Sequence, residues 1–105
     1  MAERPLCALV VDDEAPARRL LRMLCNETGI VVAGEADNGD AALALLHDMP
    51  VDIVFLDIAM PGIDGMETAR RIPRGGNTGS VPAVVFTTAF AKHALAAFDV
   101  GAVDY

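Results

Sequence analysis

Four short segments of the chain are almost entirely apolar: residues 6–11, 30–33, 53–56 and 83–86. A strand with one face in water alternates apolar and polar residues, whereas a strand covered on both faces is apolar throughout. The four segments therefore predict buried strands of a parallel sheet.

Between these segments the apolar residues recur at the helical spacing i, i+3, i+4 and i+7. Three amphipathic helices are predicted in this way, with stripes at Ala17, Leu20, Leu21 and Leu24, at Ala42, Leu45, Leu46 and Met49, and at Ala91, Ala94, Leu95 and Phe98. A shorter helix is predicted over residues 64–72, where Pro73 and a glycine-rich segment at residues 74–80 follow.

Signals for helix starts support this order. Pro16 suits a first helical turn, Asp37 or Asn38 suits the cap of the second helix, and Asp64 suits the cap of the third. The elements follow the order β-α-β-α-β-α-β-α, and residues 102–105 begin a fifth strand. This alternation predicts an α/β fold with a doubly wound parallel sheet and right-handed crossovers.

Composition narrows the class of protein. A chain of 105 residues fits one domain, which we expect to span residues 1–105, and 53% hydrophobic residues fit a globular core. The net charge of -7 argues against a surface for nucleic acid or anionic membranes. Cys7 and Cys25 lie in apolar settings and no leader-like segment is evident, so we expect a cytoplasmic chain with reduced thiols and no membrane association.

Polar side chains cluster at the ends of three predicted strands. They are Asp12, Asp13 and Glu14 after the first strand, Asp57 after the third, and Thr87 and Thr88 after the fourth. In open parallel sheets the binding crevice lies beyond the carboxyl ends of the strands. If these three strands are neighbours, three carboxylates and a hydroxyl meet at one edge of the sheet.

Three neighbouring carboxylates repel one another, and a bound cation relieves that repulsion. Oxygen ligands without a nearby histidine or cysteine favour Mg²⁺ over Zn²⁺. Such a site typically serves phosphate chemistry, in which Asp57 would be a nucleophile that forms an aspartyl phosphate.

Three motifs carry a resemblance to a known family: "VVDDEAPARRLL", "VFLDIAMPGIDGMETARRI" and "VVFTTAFAKHALAAFDVGAVDY". In this order and spacing they resemble the receiver (phospho-acceptor) domain of two-component response regulators. The first and third are more similar to the LytR/AlgR type, whose receivers usually precede a LytTR DNA-binding domain. The resemblance implies a flavodoxin-like sheet with strand order 2-1-3-4-5.

The resemblance also implies a role for each site residue. Asp57 would accept a phosphoryl group from a histidine kinase, and the signal would pass to an output domain, with a homodimer as one possible assembly. The implied Mg²⁺ ligands and switch residues are Asp13, Asp57 and the Ala59 carbonyl as direct ligands, Asp12 through water, Thr88 and the Ala89 backbone at the phosphoryl oxygens, and Tyr105 as the switch aromatic.

One residue of the family pattern is not present. Family members carry a lysine three residues beyond the position of Tyr105, and the sequence given ends before that point. Lys92, the one lysine of the chain, lies in the predicted fourth helix. The sequence thus resembles a receiver with an incomplete fifth strand and without the fifth helix.

Other interpretations remain open on the sequence alone. A degenerate receiver that serves only as a protein-interaction module also fits the pattern. A phosphatase of the haloacid dehalogenase type uses an Asp nucleophile too, but it needs a second Asp where this chain has Ala59. Arg18, Arg19 and Arg22 are interpreted as a solvated helix face, with kinase docking as the functional alternative.

Overall fold

A computed structural model describes residues 4–73 and 81–87 of the chain. Strands and helices alternate along the described residues, which is the order that the apolar pattern predicts. In chain order the elements are β1 (Cys7–Val11), α1 (Ala15–Thr28), β2 (Val31–Ala36), α2 (Gly39–Asp48), β3 (Ile53–Leu56), α3 (Gly65–Arg71) and β4 (Ala83–Phe86).

The four strands form one parallel sheet in the order β2-β1-β3-β4. This confirms the predicted flavodoxin-like arrangement for strands 2-1-3-4. The predicted fifth strand and fourth helix lie outside the described residues. Since β1 and β3 are neighbours, the residues that follow them meet at the same edge of the sheet.

Helices α2 and α3 cover one face of the sheet. Alternate residues of the two central strands, Leu9 and Val11 on β1 and Val54 and Leu56 on β3, are fully buried there with Phe86. Successive strand residues point to opposite faces, so Ala8 and Val10 lie on the other face, where α1 packs against β1 and β2. Burial on both faces explains why the central strands are apolar throughout.

The helix ends follow the predicted local signals. Asn38 caps α2, its side chain accepting a hydrogen bond from the Ala41 amide, and Asp64 caps α3 in the same way. Pro16 lies in the first turn of α1. Gly29 ends that helix with φ 78°, in the left-handed region that glycine adopts without strain.

The second strand differs from its prediction over residues 30–33. It spans Val31–Ala36, and its exposed residues Val31, Ala33 and Glu35 alternate with half-buried ones. Strand β2 is at the edge of the four described strands, so one face is only partly covered. An edge strand of this kind tolerates polar positions such as Glu35, which a search for continuous apolar runs misses.

The predicted apolar stripe of α1 is also partly wrong. Leu20 is 52% exposed and Leu24 is 46% exposed. The buried residue of this helix is Cys25, and the half-buried Leu21 and Arg18 lie on the same side at the spacing i, i+3, i+7. The inner face of the helix therefore runs through Arg18, Leu21 and Cys25 and is shifted from the predicted stripe.

Both cysteines are free thiols, Cys25 buried and Cys7 half-buried. Within the described part of the chain, no helix combines the length and the apolar character that crossing a membrane requires.

Candidate functional site

Three carboxylates lie together at the carboxyl end of the sheet. Asp12 and Asp13 follow β1 and Asp57 follows β3, and one oxygen from each lies within 4.8 Å of the others. The neighbouring positions of β1 and β3 thus bring together residues that are more than forty positions apart in the sequence.

Backbone hydrogen bonds extend the parallel ladder one residue beyond each strand. The amide of Asp12 donates to the Ala36 carbonyl at 3.1 Å, and the amide of Asp57 donates to the Val11 carbonyl at 2.9 Å. The amide of Thr87 donates to the Leu56 carbonyl at 2.9 Å in the same manner. The backbones of Asp12 and Asp57 are therefore fixed by the register of the sheet.

The three carboxylates differ in exposure. Asp12 is buried, and one of its oxygens accepts a hydrogen bond of 2.9 Å from the amide of Glu14. Asp57 is half-buried and Asp13 is exposed. The cluster is thus anchored by Asp12 at its base and open to solvent at Asp13, so an ion can enter from water.

The surroundings of Asp57 disfavour its ionised form. Burial, followed by the negative charge of Asp12, raises the pKa of Asp57 from 3.8 to about 6. Asp13 adds to this rise, and a hydrogen bond from the Ala59 backbone acts against it. A cation among the three carboxylates would remove the repulsive part of this shift.

The segment after Asp57 depends on two glycines, Gly62 and Gly65. Gly62 has φ 79°, which favours glycine. Gly65 opens α3 against the backbone that follows β3: a Cβ at this position would overlap the Asp57 carbonyl oxygen and lie 2.7 Å from the Ile58 Cα. Glycine at residue 65 is thus what allows α3 to start beside the acidic cluster.

Arg18 contacts the site although it was assigned to a solvated helix face. Its guanidinium donates a hydrogen bond of 2.7 Å to the carbonyl oxygen of Asp12 and forms an ion pair of 3.3 Å with Glu35. Arg22 pairs with the same glutamate at 2.6 Å. Glu35 lies in a stretch predicted as a connection, so nothing in the sequence pattern indicated this network.

Several predicted site residues fall where the structure gives no description. Thr88, Ala89 and Tyr105 lie outside the described residues, and their roles stay predictions. Thr87, the other threonine after β4, is half-buried. Ala59 is exposed beside Asp57, and the role of its carbonyl as a ligand also stays a prediction.

The donor set of the cluster fits Mg²⁺. It offers carboxylate oxygens without a histidine or cysteine, on a surface open to the solvent that would complete an octahedral shell. Burial is the main cause of the raised pKa of Asp57, and the charges of Asp12 and Asp13 add to it; a cation would relieve this second part.

Comparison with known proteins identifies the family. The sequence profile of the family described as "Response regulator receiver domain" matches residues 8–105. The chain belongs to this family. This receiver is 46% identical over 99 residues to the positive alginate biosynthesis regulatory protein of Pseudomonas aeruginosa, an alignment that covers 92% of this chain and 39% of that protein. It is 36% identical over 98 residues to the sensory transduction protein LytT of Oceanobacillus iheyensis, with 92% and 39% covered.

Solved structures agree with this assignment. The response regulator TrrA of Thermotoga maritima, whose crystal structure contains Mg²⁺ and BeF, superposes with a TM-score of 0.81. The two are 33% identical, and the match covers 95% of this chain and 84% of that one. The predictions of a receiver fold and of the LytR/AlgR type are therefore confirmed.

The curated relatives are much longer than this receiver. The chain spans about two-fifths of the length of those that it matches, for example 41% and 39% of the first two.

Membership of the receiver family decides against the haloacid dehalogenase interpretation and places the chain among signalling domains rather than conventional enzymes.

Proposed function

We propose that this receiver accepts a phosphoryl group on Asp57 in a Mg²⁺-dependent reaction and thereby switches an output domain. The observation that carries the proposal is the convergence of Asp12, Asp13 and Asp57, with one oxygen of each within 4.8 Å of the others. Asp57 is the candidate acceptor because it is more accessible than the buried Asp12 and, unlike the exposed Asp13, directly follows a central strand.

The chemistry assigns one task to each carboxylate. An oxygen of Asp57 attacks phosphorus while the bond from phosphorus to the donor, a histidine nitrogen of a kinase, breaks. Asp13, Asp57 and the Ala59 carbonyl would hold Mg²⁺ directly, and Asp12 would bind it through water. The metal, when bound, supplies positive charge against the developing charge on the phosphoryl oxygens.

The switch would use residues outside the described part of the chain. Thr88 and the Ala89 amide would contact the phosphoryl oxygens, and Tyr105 would repack in response. Phosphorylation then shifts a pre-existing equilibrium between two surfaces instead of creating a new fold.

The partners follow from the family. A histidine kinase would be the donor, and the receiver would be cytoplasmic. The output domain would bind DNA, as in LytTR-type regulators. The receiver itself, with a net charge of -7, would make no direct contact with nucleic acid. A second copy of the chain is a further candidate partner.

Phosphorylation by a small donor tests the central claim. The chain is incubated with acetyl phosphate, with and without Mg²⁺, and intact mass spectrometry follows the gain of one phosphoryl group. We expect a Mg²⁺-dependent, hydroxylamine-sensitive adduct in the wild type and none in Asp57→Asn. Asp48→Asn, which alters an exposed carboxylate at the end of α2, is the matched control and should react like the wild type.

A second outcome would favour the degenerate receiver. Lys92 is the one lysine of the sequence, and the family lysine beyond the position of Tyr105 is not within it. A chain that binds Mg²⁺ but forms no adduct, even when extended through that lysine, would serve as an interaction module only. An adduct that persists in Asp57→Asn would contradict the choice of acceptor.

A further inference from the structure

The backbone of Asp12 is held on both sides of its Cα by a closed ring of interactions. The amide of Asp12 donates to the Ala36 carbonyl, and the carbonyl of Asp12 accepts from the Arg18 guanidinium at 2.7 Å. Arg18 in turn pairs with Glu35, the residue next to Ala36 on β2. The ring thus runs from β2 through α1 to the loop after β1 and returns to β2.

This ring fixes the direction in which Asp13 projects. Asp13 is exposed, so packing contributes little to holding its carboxylate in place. Its orientation depends on the preceding peptide plane, and the carbonyl of that plane is the group that Arg18 holds. Because the peptide is planar, rotation of this unit would change the position of the Asp13 carboxylate relative to Asp57.

Glu35 keeps Arg18 in this position. The Arg18 side chain is only 21% exposed, and its rigid guanidinium presents separate N–H groups, Nε to Glu35 and a terminal nitrogen to the Asp12 carbonyl. Arg22, one turn further along α1, pairs with Glu35 but makes no hydrogen bond to the Asp12 carbonyl among the described contacts. The two arginines therefore share one partner, and only Arg18 connects it to the site.

We propose that Arg18, anchored by Glu35, is a positioning residue that orients Asp12 and Asp13 for Mg²⁺. The inference rests on the proposed function, because it assumes that these carboxylates bind the metal. Groups that orient metal ligands from behind commonly change metal affinity by tenfold or more when they are removed.

Isothermal titration of the chain with MgCl2 measures the effect directly. We expect Arg18→Met to weaken Mg²⁺ binding by about tenfold. Arg22→Met is the matched control: it removes an arginine from the same helix and the same glutamate, and its dissociation constant should stay within about twofold of the wild type. Arg18→Lys should lie between the two, because one ammonium group cannot make both contacts in the same geometry.

Cys25→Ala separates positioning from general loss of packing. It removes a buried group from α1 at a distance from the site, so it should lower the urea midpoint without changing Mg²⁺ affinity. If positioning is the role of Arg18, saturating Mg²⁺ should also restore the rate of phosphorylation by acetyl phosphate in Arg18→Met.

The possible failures are distinct. A wild-type chain that binds no Mg²⁺ would overturn the proposed function and this inference with it. Wild-type binding with an unchanged dissociation constant in Arg18→Met would overturn only the positioning role. Equal losses in Arg18→Met and Arg22→Met, or in Arg18→Met and Cys25→Ala, would mean that the ion pairs only stabilise the helix.

Discussion

Gly65 lies against the backbone of Asp57 so closely that a methyl group at residue 65 would overlap the Asp57 carbonyl oxygen. The amide of Gly65 also donates a hydrogen bond of 2.8 Å to the Ile58 carbonyl. The first turn of α3 is therefore in direct contact with the backbone around the proposed phosphoryl acceptor, so a displacement of one shifts the other.

Gly65→Ala should disturb the site as well as the fold. The added methyl group has to displace backbone rather than a flexible side chain, so we expect a loss of stability of about 1–3 kcal/mol and weaker Mg²⁺ binding. Urea unfolding and calorimetric titration measure the two effects. Gly29→Ala is the control, since Gly29 has φ 78°, a Cβ there would meet nothing within 4 Å, and the residue lies at the far end of α1. That variant should lose stability through backbone strain and keep its Mg²⁺ affinity.

The acidic cluster should make the metal-free chain less stable as the pH rises. The folded pKa of Asp57, about 6, lies above the reference of 3.8, so the folded state holds this proton more tightly than the unfolded state. The contribution of protonated Asp57 to folding stability is therefore fully present below pH 3.8 and is lost as the pH rises through about 6. Asp57→Asn should remove this loss, and at neutral pH without Mg²⁺ it should be more stable than the wild type. A less stable Asn variant under these conditions would contradict the electrostatic argument.

Mg²⁺ should stabilise the wild type most above about pH 6, since the folded pKa of Asp57 is about 6. Protons compete with the metal for Asp57 below that pH, so the stabilisation should shrink as the pH falls. At a free concentration of about one hundred times the dissociation constant, binding to the folded state alone adds about 2.7 kcal/mol. Thermal unfolding at about pH 5 and about pH 7.5, with Mg²⁺ and with an equal ionic strength of NaCl, measures the difference. An equal gain at both pH values would show that the metal acts elsewhere.

A separate carboxylate stabilises the opposite end of the sheet. Asp52 accepts two hydrogen bonds from Arg4 and one from the Cys7 amide, each at 2.8 Å. The hydrogen bond with Arg4 is the main reason why the pKa of Asp52 falls to about 2. The contribution of Asp52 to the free energy of unfolding is present above its unperturbed pKa of 3.8 and is lost as the pH falls through about 2.

Asp52→Asn should therefore lower the urea midpoint at neutral pH, and the difference from the wild type should diminish between about pH 4 and about pH 2. Mg²⁺ affinity should not change, because Asp52 precedes β3 and lies at the end of the strand opposite Asp57. The exposed pair of His47 and Asp48 offers a control in Asp48→Asn, which should leave the midpoint unchanged.

Truncation of two leucines, one on the inner face of the sheet and one on the outer face of α1, should cost different amounts of stability. Leu56 is fully buried, so Leu56→Ala should cost about 2–5 kcal/mol. Leu20 is 52% exposed, and Leu20→Ala should cost less than about 1 kcal/mol. Urea titration of both variants checks this, and similar losses would mean that Leu20 is covered in solution.

The sequence by itself determined the type and order of the described elements, because these depend on local periodicity and capping. The apolar segments located three of the four strands to within one residue, and Asn38 and Asp64 cap the helices as predicted. The positions of the predicted strand ends also indicated that Asp12, Asp13 and Asp57 lie together, because in a parallel sheet the residues after each strand share one edge.

Only the tertiary structure decided which side chains support that set. Arg18 follows the polar face of α1 in sequence, yet the rotation of the helix on the sheet brings it to the Asp12 carbonyl and to Glu35 on the edge strand. Gly65 lies within the predicted third helix, and its contact with the Asp57 backbone depends on where α3 packs. Contacts between distant segments are set by packing and register, which local patterns do not encode; these contacts determine how rigidly the carboxylates are held.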